Sequence, residues 1–93
     1  MIKSFRDRDT GRLFQSHPIK KLGTDVQRSA LRKLRMLDAA TVLQDLRVPP
    51  GKRLERLKGD REGQHSIPIN RQWRICFRWT RGIASDVEIV DYH

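Results

Sequence analysis

Pro49-Pro50-Gly51 divides this chain into two halves with different periodicities. Proline has no N–H to donate and pushes the residue before it out of the helical region, so a helix cannot run through this tripeptide. Before it, apolar residues recur at helical spacing; after it, they alternate. Helices first and strands afterwards predict an α+β architecture, with helices packed on one face of an antiparallel sheet.

In the first half, Val26, Ala30, Leu34 and Leu37 recur at spacings of four, four and three, which makes one apolar helical stripe. Thr24-Asp25-Val26-Gln27 reads as a capping box at its start, with Thr24 as N-cap and Gln27 reaching back. Arg28, Arg32, Lys33 and Arg35 lie largely off the stripe. A shorter helical piece, Ala39 to Leu46, follows. Upstream, Ile2 to Phe5 reads as a short strand, and Asp9 to Gln15 as a first helix that turns Leu13 and Phe14 inward and ends at His17-Pro18.

The second half begins with a short strand at Leu54 to Leu57, then turn chemistry from Gly59 to Gly63. His65 to Ile69 is a strand whose Pro68 suggests an edge or a bulge. Asn70-Arg71 reads as a hairpin turn. Gln72 to Trp79 then alternates: Trp73, Ile75, Phe77 and Trp79 on one face, Gln72, Arg74, Cys76 and Arg78 on the other. Val87 to Tyr92 is the last strand. The aromatic face is expected to meet the helices, and the face of Arg74 and Arg78 to stay open.

Charge narrows the function classes. The chain has 93 residues, enough for one domain over 1–93, with 20 Lys and Arg against 11 Asp and Glu and a net charge of +9. That balance suits a polyanionic partner. No apolar run approaches the roughly 18 residues that span a bilayer, so a membrane is not expected as partner. Cys76 is the only cysteine, which rules out an internal disulfide and suits the cytoplasm. Arg47, Lys52, Arg53, Arg56, Lys58, Arg61, Arg71, Arg74, Arg78 and Arg81 face only Glu55, Asp60 and Glu62 between residues 47 and 81. The sheet half is therefore the expected phosphate-binding half. His17, His65, His93 and Cys76 have no metal-ligand spacing, and neither a metal nor a cofactor is expected. Composition leaves three classes open: a nuclease, a non-catalytic RNA- or ribosome-binding protein, and a helix-turn-helix DNA-binding regulator. The last lacks a second, recognition-type helix.

Two segments go further. One runs Leu54-Glu55-Arg56-Leu57-Lys58-Gly59-Asp60-Arg61-Glu62-Gly63-Gln64-His65-Ser66-Ile67. The other is Gln72-Trp73-Arg74-Ile75-Cys76-Phe77, followed by Asp91-Tyr92-His93. In this order and at this length they resemble toxins of the HigB branch of the RelE superfamily, including the GraT-like members. The opening Met1-Ile2-Lys3-Ser4-Phe5 and Leu37-Asp38-Ala39-Ala40 share the likeness, which covers nearly the whole chain.

The resemblance implies a RelE-like fold, a small antiparallel sheet with two main helices on one face. It implies an endoribonuclease that cuts mRNA in the ribosomal A site. It also implies a cognate HigA-type antitoxin with a helix-turn-helix domain, through which alone operator DNA would be bound. It places Glu55, Lys58, Arg74, Asp91, Tyr92 and His93 at the active site. Lys58 and Arg74 would clamp phosphate, His93 would be the acid, Tyr92 would stack on a base or position the phosphate, and Asp91 would orient or assist. Some members carry histidine where this chain has Glu55, so Glu55 is either the base, as in a Glu55–Arg74–His93 set resembling the YoeB branch, or a surface partner of Arg53 or Arg56. Arg53, Arg56, Arg61, Arg71 and Arg78 are the candidate RNA and ribosome contacts.

Overall fold

A computed structural model describes residues 1–47 and 54–92. The boundary tripeptide, Arg53 and His93 lie outside the described residues. Helix α1 spans Arg8–Phe14 and α2 spans Thr24–Ala39, followed by a 3-10 turn at Leu43–Leu46. Strands β1 (Glu55–Arg56), β2 (Gln64–Pro68), β3 (Trp73–Thr80) and β4 (Ile83–Asp91) form one antiparallel sheet in sequential order. A second 3-10 turn, Gly59–Arg61, lies between β1 and β2.

The alternation of β3 sets the layers. Ile75 and Phe77 are fully buried and join Ala30, Leu34 and Leu37 of α2, Leu13 of α1, and Val87 and Ile89 of β4 in one core. Burying a side chain of this size contributes about 1.5–3 kcal/mol, so the apolar stripe of α2 is what holds the helix on the sheet. Trp73 and Trp79 pack at the margins of that core.

Four local readings change. Gly23, not Thr24, is the N-cap of α2, and no side chain caps it. Gln27 instead turns toward the preceding loop. Its Oε1 accepts from the Ile19 N–H at 2.9 Å and its Nε2 donates to the Leu22 carbonyl at 2.8 Å. Lys33, expected off the stripe, is 5% exposed. Of the piece expected from Ala39 to Leu46, Ala39 completes α2 and only Leu43–Leu46 forms a turn of its own. Finally, β4 begins at Ile83, upstream of the expected Val87.

That last difference has a clear cause. Between the Cys76–Glu88 and Arg78–Ser85 pairs, Phe77 opposes both Asp86 and Val87, a β-bulge. Asp86 sits at φ 51°, a left-handed conformation that aspartate tolerates better than most residues. The extra residue resets the alternation, so Ala84 and Val87, three apart, are both buried.

The outer edge of β4 is covered rather than bare. Ile2 and Phe5 make isolated parallel bridges to Ala84 and Val87, in place of the expected first strand. Farther along, the Thr10 hydroxyl accepts from the Ile89 N–H at 3.2 Å, and Lys21 Nζ donates to the Ile89 carbonyl at 3.2 Å. Covering an edge in this way blocks pairing with other chains.

Candidate active site

The sheet face away from the helices is not the open surface that alternation suggests. Gln64, Ser66 and Cys76 are buried there, and Leu57 and Cys76 are buried without joining the helix-side core. Register explains the floor: Glu55 pairs with Ser66, Ser66 with Cys76 and Cys76 with Glu88, so these four share one face across all four strands.

Arg74 lies over this floor with its side chain only 13% exposed. Its Nε donates to Ser66 Oγ at 2.8 Å and its Nη2 to the Ser66 carbonyl at 3.4 Å. Glu55 Oε1 stands 3.7 Å from Nη2. The guanidinium also lies 5.5 Å from the centre of the Tyr92 ring, which is itself largely exposed. Charge, carboxylate and aromatic face therefore converge from β3, β1 and the residue after β4. Glu55 is thus a partner of Arg74. Of its two expected surface partners, Arg53 lies outside the described residues, and Arg56 pairs with His65 on the other face and lines a cleft with Leu43, Gln44, Arg47, Leu54 and His65.

A second ionic group adjoins the first. Glu88, 14% exposed, is held between Arg6 Nε at 3.2 Å and Arg61 Nη1 at 3.5 Å. Arg61 also donates to Gln64 Oε1 at 3.1 Å. Burial weakens the hold of Arg61 on its proton, but its hydrogen bond to Glu88 and the negative charge nearby more than offset this, so the proton is held more tightly than usual. Burial also pushes the Cys76 thiol upward, against the opposing pull of Arg61 and Arg74. The thiol under the site therefore stays protonated and uncharged at neutral pH.

The remaining candidates scatter. Arg78 shares the Arg74 face and pairs with Asp86 at 3.5 Å, both half-exposed. Lys58 is exposed where the chain leaves β1, and its ammonium makes no ion pair with a described residue. Asp91 pairs with Trp73, hence on the helix-side face, and its Oδ2 accepts from Gln72 Nε2 at 3.1 Å. Arg71 is exposed in the β2–β3 turn. His65 is no part of the site: burial, then the nearby Arg56 charge, lower its pKa below the usual 6.5, and its ring packs 5.9 Å from Phe77. The sequence reading missed Ser66, Glu88 and Arg6. The first two are legible only through register, and Arg6 through the parallel bridge at Phe5.

Two helices on one face of a four-stranded antiparallel sheet, with an arginine-centred site on the other, define the class of RelE-like toxins. The chain belongs to the HigB-like toxin family, described as the RelE-like toxin of the type II toxin–antitoxin system HigB, whose match covers residues 3–93. It is 38% identical over 94 residues to "Endoribonuclease HigB" of Proteus vulgaris, covering 100% of both chains. It is 36% identical over 85 residues to "Toxin HigB-1" of Vibrio cholerae, covering 90% of each. An uncharacterized protein of Haemophilus influenzae is 32% identical over 76 residues, covering 81% of this chain and 75% of that one. The chain is thus a type II toxin, with an antitoxin as partner, in a family with endoribonuclease activity. Among the described residues no helix is long and apolar enough to cross a membrane.

Proposed function

We propose that this toxin is a ribosome-dependent mRNA endonuclease that cuts in the ribosomal A site by attack of the substrate's own 2′-OH. The observation that carries the reading is the Arg74 guanidinium, fixed over the sheet with Glu55 and Tyr92 beside it. In this reaction the 2′-oxygen forms a bond to phosphorus and the bond to the 5′-oxygen breaks. A base takes the 2′-OH proton, and an acid protonates the leaving oxygen. The products are a 2′,3′-cyclic phosphate and a free 5′-OH.

Arg74 bears the negative charge that builds on the phosphorane, and its low exposure strengthens that contact. Glu55, half-exposed beside it, has the chemistry of the base. Tyr92 offers an aromatic face on which a base can stack. Lys58, exposed just after β1 and with no acidic partner among the described residues, is the second proposed phosphate clamp, and Arg61 and Arg78 add charge along the Arg74 face. His93 is the proposed acid, since imidazole changes protonation near neutral pH. The ribosome supplies the substrate geometry that so few groups cannot impose alone. A HigA-type antitoxin with a helix-turn-helix domain is the proposed inhibitor, and the cytoplasm the proposed site of action.

The test is single-turnover cleavage of mRNA on programmed ribosomes, with naked mRNA as control. Cleavage on the ribosome, survival of naked RNA and loss of cleavage in His93→Gln support the proposal. Equal cleavage of naked RNA would remove the ribosome from it, and full activity of His93→Gln would remove the acid. Ribosome binding with no cleavage under any condition would favour a binding-only toxin.

A further inference from the structure

We infer that Ser66 is a positioning residue that aims Arg74 at the scissile phosphate. The inference rests on the proposed role of Arg74.

Three observations converge on Ser66. It is fully buried in the middle of β2, on the face away from the core, where serine offers little apolar area and poor strand propensity. A hydroxyl removed from water costs free energy unless it is hydrogen-bonded. The partner here is Arg74: the hydroxyl oxygen accepts from Nε at 2.8 Å, and the carbonyl of the same residue accepts from Nη2 at 3.4 Å. Two acceptors from one residue engage two nitrogens of the guanidinium and fix its plane. The Tyr92 ring centre lies 5.5 Å from the guanidinium carbon, and Glu55 stands beside one end.

Geometry then dictates the consequence. A guanidinium is a planar fork whose donors act only along fixed directions. Occupying Nε orients the remaining nitrogens, and a phosphorane is stabilised only by donors already in place when charge develops. Without the Ser66 hydroxyl, Arg74 keeps its charge and its Glu55 partner but gains freedom about its last torsions. Ser66 thus contributes to the rate of the chemical step and not to capture of the ribosome.

The experiment measures single-turnover cleavage and ribosome affinity for Ser66→Ala, Ser66→Cys and Ser66→Thr, each in wild-type and Arg74→Lys backgrounds. Lysine keeps the positive charge and has no Nε–H for Ser66 to accept. With Arg74 present, Ser66→Ala and Ser66→Cys should slow cleavage by roughly 10- to 100-fold, with affinity unchanged. Ser66→Thr, which retains the oxygen, should recover most of the rate. In the Arg74→Lys background the alanine change should cost less than about twofold. The Arg74 Nε–H resonance provides a readout that needs no activity: protected from exchange in the wild type and Ser66→Thr, exposed in Ser66→Ala. An equal rate loss in both backgrounds, or an Nε–H unaffected by Ser66→Ala, would overturn the inference. A fully active Arg74→Ala would instead sink the role of Arg74 itself, whatever Ser66 does to the resonance.

Discussion

Arg74 answers to two demands at once. On the strand pattern alone it is an exposed side chain opposite Trp73 and Ile75, one that could be removed without disturbing the fold. The structure shows it covering a buried serine. Arg74→Ala should therefore abolish cleavage and also destabilise the protein, because leaving the Ser66 hydroxyl without its partner costs about 1–3 kcal/mol. For a domain of this size that is a fall in Tm of about 4–8 °C per kcal/mol, readable by calorimetry. Unchanged melting would mean that water replaces the guanidinium. Glu55 separates differently. Its ion pair with Arg74 is half-exposed on the carboxylate side and contributes at most about 1 kcal/mol to stability. Glu55→Gln should leave Tm nearly unchanged while reducing the single-turnover rate by about 100- to 10,000-fold if the carboxylate is the base. A wild-type rate would return Glu55 to a purely electrostatic part. The sequence made Arg74 and Glu55 visible as candidates. Ser66 lies in the segment that carries the family likeness, but nothing in the sequence tied it to Arg74 until register set it beneath that arginine.

Among the elements, α2 and β3 were legible from periodicity because each turns a regular apolar row into the core, even though Cys76 on the other face of β3 is buried too. The start of β4 was not. Gly82 and the left-handed Asp86 interrupt the pattern, and a bulge is a tertiary accommodation that pairing alone reveals. The cap of α2 went wrong for a related reason: Gln27 has the right spacing to reach back, but two backbone groups of the preceding loop compete for it. The 3-10 turn at Leu43–Leu46 shows a side chain that does cap. Asp45 accepts from the Thr41 N–H at 2.9 Å, the Val42 N–H at 3.2 Å and the Thr41 hydroxyl at 3.1 Å. The bond from the Thr41 N–H, followed by that from Val42, lowers its pKa below 3.8. A carboxyl depressed in the folded state adds stability above its unfolded pKa and loses it as pH falls through the folded value. Asp45→Ala should thus melt lower than the wild type at pH 7, and the gap should close in acid. A constant gap down to pH 2 would show that the carboxylate does not act through its charge.

At the scale of the molecule, a net charge of +9 does not mean a uniformly sticky surface. The ion pairs of Arg6, Arg61, Arg74 and Arg78 all lie with acids on the sheet strands, so the half with the larger basic excess also carries its own neutralisation. Among the described residues Lys58 has no such partner. Ribosome or RNA binding should fall with salt, and Lys58→Ala should reduce the slope of log affinity against log salt by about one. Arg78→Ala should change it less, since Asp86 already occupies that cation. Equal slopes for the two variants would mean that the ion pair opens on binding.

The parallel bridges at the edge of β4 carry a consequence for the order of synthesis. Ile2 meets Ala84, Phe5 meets Val87, and Thr10 meets Ile89, 79 positions away. Contacts between segments so distant in the chain cannot form until both exist, which makes such pairings late events. A nascent chain still lacking residues 83–92 has no strand for its first residues to join, no Glu88 in the sheet face beneath Arg74 and no Tyr92. The Arg74 site is therefore complete only once residues 83–92 are in place.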